Sequence, residues 1–393
     1  MSVDVDDQLA ARLRRRLAGQ LTADGDLRSP EWRQAVETVP RHVFLGPVFY
    51  RRRDTDRGTL WEPITPDGTS PADRLSLAYE NVTWVTQLDG EDAPAPPGPV
   101  TGAPTSSSTL PGLVVRMLED LQVEDGHNVL EIGTGTGYST ALLCHRLGDS
   151  RVTSVEVDPV LGGRARDALQ RAGYSPTVVI RDGLTGWPHR APYDRVIATC
   201  SVRRIPSAWL TQSRPGGIIL VTVSGWLYGS ALARLTVTGP DSAEGEFLPG
   251  TVSFMQARPH AAPPIGRLPS QDAGEQRRAV FGAEIFTDWT PLWIAQLAAP
   301  GVQRMTVSTD GAPAAHCLLD REARSWAWLI PGEHGTWSVR QGGPCRLWDR
   351  VEAALTAWHN AGRPPQQAFR LGITCGEQRV FLPGTGLSWP LPA

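Results

Sequence analysis

Long apolar runs are missing from this chain of 393 residues. Its longest strongly apolar stretch, Ile218 to Val223, has the length of a buried strand and falls far short of the ~18 residues a membrane span needs. Neither sign of charge dominates: 38 basic residues stand against 41 acidic ones, a net −3. Such a balance gives no global attraction for nucleic acid or an anionic membrane, so neither is expected as a partner. Cysteine is sparse. Cys144, Cys200, Cys317, Cys345 and Cys375 are odd in number, widely spread and without a Cys-x-x-Cys pair, so free thiols in a reducing cytoplasm are expected, with no metal cluster. The first residues, MSVDVDDQLAARLRRRLAG, lack an apolar core and a cleavage site, and no ordinary signal peptide is expected. No Ser/His/Asp triad is apparent either.

Hydrophobic residues at 40% and charged residues at 20% fit a globular protein, and the length predicts two or three domains. Leu9, Leu13, Leu17 and Leu21 recur every four residues and predict a helix. Ser29-Pro30-Glu31 opens a second helix, and Pro40 to Phe44 closes it. Residues 51–75 read as a surface excursion, and the Pro/Gly-rich stretch 91–105 as a loop. From Gly112 strands and helices alternate. Helix 112–121, strand 128–132, helix 138–147, strand 151–157, helix 161–172, strand 177–180, strand 193–198, a short helix 206–212 and strand 217–223 predict a parallel sheet covered on both faces. After residue 250 the chain turns rich in tryptophan, with strands near 325–329 and 335–339 and a helix over 347–361. The tryptophans are expected to fill a modest core rather than to line a peptide groove. The division expected is a helical segment with its excursion over 1–80, an α/β domain over 81–250, and an α+β domain that binds substrate over 251–393.

The strongest chemical signal is Glu131-Ile132-Gly133-Thr134-Gly135-Thr136-Gly137-Tyr138. A strand runs into three alternating glycines and then a helix. Glycine is needed where the backbone turns tightly and where a ligand approaches it closely. A dinucleotide site prefers G-x-G-x-x-G. Here the pattern is G-x-G-x-G with an acid before it, and a carboxylate at Glu131 suits a cationic methionine moiety better than a phosphate. Glu156 ends the next strand, 19 residues beyond Gly137, where an acid takes ribose hydroxyls. Asp182-Gly183 follows the third strand and could accept from an adenine amino group. Together these acids predict S-adenosylmethionine as the cofactor. Thr134 within the turn, Val157 beside Glu156, and Thr199 after the fourth strand complete the expected binding set.

VLEIGTGTGY, RDGLTGWPHRAPYDRVIAT and Pro215-Gly216-Gly217, with Val39-Pro40-Arg41-His42-Val43-Phe44 upstream, resemble the protein-L-isoaspartate O-methyltransferase family over about residues 30 to 225. The resemblance implies a Rossmann-like sheet, S-adenosylmethionine, and esterification of a peptide carboxylate. In the family's repair enzymes a Ser-Gln-Pro sequence brings a hydroxyl to the substrate carboxylate. That triplet falls on Thr109-Leu110-Pro111 here, preceded by Ser106, Ser107 and Ser108. The resemblance and the placing of this run before a core helix make Ser107, Ser108 and Thr109 the candidates for orienting the carboxylate. The competing reading of the run is a loop and helix cap. Cys200 reads as packing rather than as a nucleophile.

The usual post-strand alanines are replaced by Cys200-Ser201-Val202, and a long C-terminal extension is present. Val85 to Gly90, Thr105 to Ser108, Ile197 to Val202 and Gly342 to Trp348 are similar to a subgroup paired with ATP-grasp ligases in the maturation of ribosomal peptides, the graspetides. That likeness implies a cyclised precursor peptide as substrate, methylation of an L-aspartate side chain, and closure to an aspartimide. A related subgroup serving lanthipeptides makes the same type of product. The alternative is repair of isoaspartyl residues in damaged proteins. Either way the expected activity is peptide carboxyl O-methylation by a cytoplasmic enzyme, with a monomer as the working expectation.

Overall fold

The computed structural model describes residues 2–55, 58–91, 97–308 and 313–392. It forms two compact units: Met1–Thr199 with Gln212–Leu220, and Cys200–Thr211 with Val221–Ala393. No described helix is long and apolar enough to cross a membrane.

The first unit opens with α1 (Ser2–Ala23). Leu13, Leu17 and Leu21 are buried, as their four-residue spacing predicts. Helix α2 (Pro30–Thr38) starts at the expected Ser29-Pro30 signal, with proline where a missing N–H leaves no bond unmade. Residues 51–75 are not a loose excursion. Strands β1 (Phe49–Thr55) and β2 (Gly58–Ile64) form an antiparallel hairpin, and α3 (Pro71–Ala78) follows, capped by Ser70. The arginines of β1 hide the strand from a pattern reading. Its buried apolar contacts sit at one end, Phe49 against Trp84 and Tyr50 with Trp61 against Val85, and the outer part of the hairpin is exposed.

Strands β3 (Trp84–Leu88) and β4 (Pro104–Ser108) complete a sheet of order β2-β1-β3-β4. The stretch expected to be a loop through residue 105 therefore ends in a strand. Pro104 opens β4 at the sheet edge, where its missing donor is tolerated. Residues 92–96 of that stretch lie outside the described residues. Ser106, Ser107 and Ser108 are strand residues, and the cap position of α4 (Pro111–Asp120) is Leu110, whose side chain makes no cap.

The alternating elements then appear as their spacing predicts. They are β5 (Val129–Ile132), α5 (Tyr138–Leu147), β6 (Val152–Glu156), α6 (Pro159–Arg171), β7 (Thr177–Ile180) and β8 (Tyr193–Val202). The four strands are parallel in the order β7-β6-β5-β8, with Ile132 level with Val155 on one side and Ala198 on the other. Strand β8 runs on to Val202, so Thr199 and Cys200 lie within it and not after it. No disulfide joins the five cysteines.

Glu131 pins this core. It is fully buried, and its carboxylate accepts from the Ser139, Thr140 and Ser154 hydroxyls. Ser154 in turn accepts from Thr134 at 2.6 Å. One carboxyl group thereby joins β5, β6, the start of α5 and the turn between them.

In the second unit α7 (Ser207–Thr211) precedes β9 (Ser213–Ser224), the strand that carries the chain into this unit. Strands β10 (Ser230–Gly239) and β11 (Ser242–Phe247) form a hairpin. Residues 221–250, assigned from the sequence to the α/β domain, group with this unit. The remainder is α+β: β12 (Glu275–Arg278), α8 (Trp289–Ala298), β13 (Gln303–Val307), β14 (Ala315–Asp320), β15 (Ser325–Pro331), β16 (Trp337–Gly342), α9 (Leu347–Asn360), β17 (Arg370–Thr374), β18 (Glu377–Phe381) and β19 (Ser388–Pro390). An antiparallel sheet of order β12-β16-β15-β14-β13 forms within it, and β17 pairs with β11 and β18. Helix α8 is apolar all round and buried from Pro291 to Leu297, so it has no amphipathic period to read. Trp293, Trp328, Trp348 and Trp358 are buried core residues, whereas Trp289, Trp326, Trp337 and Trp389 stay half-buried.

Two outcomes follow from this packing. Trp293 meets Phe247 at 4.9 Å and Phe369 at 5.1 Å between ring centroids, both edge-on. Trp293→Ala should cost about 3–5 kcal/mol in denaturant unfolding of the full chain. For Glu131, burial raises the pKa above the ordinary 4.5, so the folded state keeps this proton to higher pH than the unfolded state. Its contribution is complete below the unfolded pKa and is lost as pH rises through the folded value. Urea unfolding between pH 4.5 and about 7.5 should therefore show Glu131→Gln gaining on the wild type as pH rises, and parallel curves would exclude a buried neutral carboxyl.

Candidate active site

The connection from β5 goes through α5 to β6 on one side, while β8 lies on the other side of β5. The carboxyl ends of β5 and β8 thus flank a topological switch point, where open α/β sheets form their ligand crevice. The glycine turn sits at this point. Gly133, Gly135 and Gly137 have φ of +92°, +54° and +91°, so a side chain at any of them would be strained. Gly133 donates to the Val155 carbonyl at 2.8 Å, and Gly137 to the Thr134 carbonyl at 2.9 Å. The Thr199 hydroxyl, from inside β8, donates to the Gly133 carbonyl.

The three acids behave differently. Glu156 receives the Gly135 amide at 2.8 Å on one oxygen and the Asp158 amide at 3.0 Å on the other. Each oxygen keeps acceptor capacity, so the carboxylate both shapes the turn and can take further donors. Asp182 accepts from the Leu184 amide at 2.9 Å and also remains half-exposed. Gly183 is buried against β5, where a Cβ would come within 2.5 Å of the Ile132 methyl group. Val157, beside Glu156, is 37% exposed. Glu131 is the exception. The expectation that it faces a cationic ligand group is corrected, because it is enclosed and its oxygens are taken by three hydroxyls. It acts on the turn from beneath.

The serine/threonine run comes to the same place. The Ser107 carbonyl lies 3.8 Å from where a Cβ on Gly135 would stand. Strand alternation then separates Ser107 from Ser108, and Thr109 follows the end of the strand. Ser108 is buried and receives the Arg41 guanidinium at 3.4 Å. Ser107 and Thr109 are half-buried, and their hydroxyls have no protein partner among the described residues. Ser108 is therefore withdrawn from direct contact with a ligand, and Ser107 and Thr109 remain. Cys200 is half-buried in the second unit.

Arg41 had no role assigned from the sequence, although it stands inside the VPRHVF segment. It is fully buried, and its guanidinium donates to the carbonyls of Ala78, Glu80, Val82, Ser108 and Thr109. It also lies 5.8 Å from the centroid of the Tyr138 ring. A lone arginine gives no sign in the sequence that it will be buried, and none of these carbonyl partners is near it in the chain.

The residues present fit S-adenosyl-L-methionine. The turn is bare of side chains where a ligand must lie close, and acceptors stand at the ends of β6 and β7. Comparison with known proteins agrees. The model of the family described as Protein-L-isoaspartate(D-aspartate) O-methyltransferase (PCMT) matches residues 95–237. The protein-L-isoaspartate O-methyltransferase of Ignicoccus hospitalis is 31% identical over 212 residues, covering 53% of this chain and 81% of the relative. That of Methanopyrus kandleri is 32% identical over 221 residues, covering 56% and 80%. A solved structure titled protein-L-isoaspartate O-methyltransferase aligns with a TM-score of 0.55 and 20% identity over 94% of this chain and 99% of its own, a likeness of fold. With S-adenosyl-L-methionine as its cofactor and protein carboxyl methylation as its activity, the chain belongs to the protein-L-isoaspartate O-methyltransferase family.

Proposed function

We propose that the protein methylates the free carboxylate of an isoaspartyl residue in a peptide or protein, with Thr109 and Ser107 orienting that carboxylate beside the glycine turn. The observation that carries this reading is the approach of the Ser107 carbonyl to Gly135, which supports a role beside the turn for the two hydroxyls of this segment that have no partner among the described residues. Gly135, Gly137, Glu156, Asp182 and Thr134 are the residues that would hold the cofactor, with Gly133, Val157, Gly183 and Thr199 shaping its surroundings. When bound, it supplies an electrophilic methyl group on a sulfonium.

A carboxylate with a pKa near ~4 is already ionised at neutral pH, so the chain need not supply a base. Its work is alignment and exclusion of water, which can contribute several kcal/mol. Hydroxyl donors suit that task because they fix the carboxylate without removing its charge. The product ester has methoxide as a leaving group. Attack by the following backbone amide nitrogen then closes a succinimide and releases methanol.

A second reading keeps this chemistry and changes the substrate: an L-aspartate side chain of a cyclised ribosomal precursor peptide made by an ATP-grasp ligase, closing to an aspartimide. It is favoured by Leu110 in the place of the repair enzymes' glutamine, an apolar residue at the start of α4 beside Thr109. The C-terminal extension does not separate the two readings. A protein titled as an isoaspartate methyltransferase aligns over 94% of this chain.

Intact mass after incubation with S-adenosyl-L-methionine separates them. Methylation of a linear isoaspartyl peptide, and not of its aspartyl counterpart, supports the first reading. Methylation confined to the ligase-cyclised peptide replaces it with the second. Two variants test the site. Thr109→Val should raise the peptide KM about tenfold and leave cofactor affinity unchanged, as expected for one hydrogen bond to a charged group. Glu156→Ala should weaken binding of S-adenosylhomocysteine by about 10-fold to 100-fold in calorimetry, and equal affinity would remove Glu156 from the cofactor site.

A further inference from the structure

Arg41 combines three properties that a purely structural arginine rarely has together. It is fully buried, it forms no ion pair among the described residues, and it touches the backbone of the residue that carries the candidate hydroxyl. Buried cations are ordinarily matched by a carboxylate, because an unpaired charge in a low-dielectric interior is costly. Here every hydrogen-bond partner is a neutral oxygen: five carbonyls and the Ser108 hydroxyl. Its Nε has no hydrogen-bond partner among the described residues. Burial outweighs the favourable fields of Tyr138, Tyr79 and Glu80 and brings its pKa down to about 10, which still leaves it charged at neutral pH.

We propose that Arg41 is a positioning residue for the substrate carboxylate, holding the Ser108–Thr109 backbone in register with the glycine turn and setting an unneutralised positive charge behind the Thr109 hydroxyl. This rests on the carboxyl-methylation reading given above. Nη2 reaches the Thr109 carbonyl at 3.3 Å, the Ser108 carbonyl at 3.5 Å and the Val82 carbonyl at 3.2 Å. One side chain therefore ties the turn after α3 to the end of β4. Because Ser108 accepts from the guanidinium, its own proton is free to point elsewhere.

The charge has a second consequence. In the transfer, an oxygen electron pair of the carboxylate forms the new O–C bond and the electron pair of the breaking C–S bond returns to sulfur. One anion and one cation become two neutral groups. A fixed cation beside the carboxylate therefore stabilises the ionised ground state more than the transition state. It favours capture of an ionised substrate and does not accelerate the step that follows.

The test uses the full chain, S-adenosyl-L-methionine and whichever peptide the wild type methylates, with the corresponding neutral amide peptide as a competitor. Arg41→Gln should raise KM about tenfold, raise kcat about twofold or more without lowering it, and lower the preference for carboxylate over amide about tenfold. Arg41→Lys keeps the charge and loses the planar fork, so its KM should fall between the two. Affinity for S-adenosylhomocysteine should stay within about twofold in both variants, because none of the Arg41 hydrogen bonds goes to the glycine turn. Equal losses for the carboxylate and amide peptides, or a loss of cofactor affinity, would make Arg41 a structural residue and overturn the proposal. A measurement on the wild type removes any dependence on the folding of a variant. The carbon-13 resonance of the labelled substrate carboxyl, titrated in the ternary complex with S-adenosylhomocysteine, should give a pKa about one unit or more below that of the free peptide. An unshifted or raised value would overturn the proposal. Absence of any wild-type turnover would instead overturn the functional reading, and this inference with it.

Discussion

The left-handed backbone between β5 and α5 is the constraint on which the rest of this site depends. Three glycines at positive φ let the chain reverse over five residues, but glycine supplies freedom and not a fixed shape. The shape comes from two carboxylates. Glu131 gathers hydroxyls from α5 and β6 beneath the turn, and Glu156 receives the Gly135 amide from its side. The turn is held from below and from the side, and its remaining surface is left for a ligand. Glu131 accepts burial as the condition of this role, and the three hydroxyls that satisfy it are what make that burial tolerable.

A parallel division of labour runs through the serine/threonine run. Strand geometry sends alternate side chains to opposite faces, so adjacent hydroxyls cannot share one task. Ser108 faces Arg41 and becomes part of the support, while the Ser107 and Thr109 hydroxyls have no partner among the described residues. The same strand therefore carries both the supporting group and the groups it supports. Arg41 extends the support to the turn after α3, through carbonyls that are distant in the chain. The proposed carboxylate methylation needs no acid, base or nucleophile from the protein. It needs an ionised carboxylate brought into line with a methyl donor in a site closed to water.

Much of this was legible before any coordinates. The alternation from residue 112 to residue 202 is a succession of short β-branched strands and amphipathic helices, and each apolar period is long enough to read. The three-glycine turn, Glu156 and Asp182 were legible because their spacing follows from the rise of a strand and the length of a crossover helix. The hairpin of β1 and β2 was not, because its exposed arginines carry no period and its apolar contacts are few. Helix α8 was hidden for the opposite reason, since burial on all sides erases the contrast that a helical pattern requires.

Sequence by itself determined the fold class, the cofactor and the family. Those depend on local spacing and on residue types that few other tasks demand. Tertiary structure alone decided which member of each group does what. It buried Glu131 and left Glu156 with capacity to spare, joined the Ser108 hydroxyl to Arg41, and buried that arginine against the Thr109 carbonyl with no ion-pair partner among the described residues. The physical reason is the same in each case. A side chain's burial and partners are set by segments far away in the chain, and no local pattern records them.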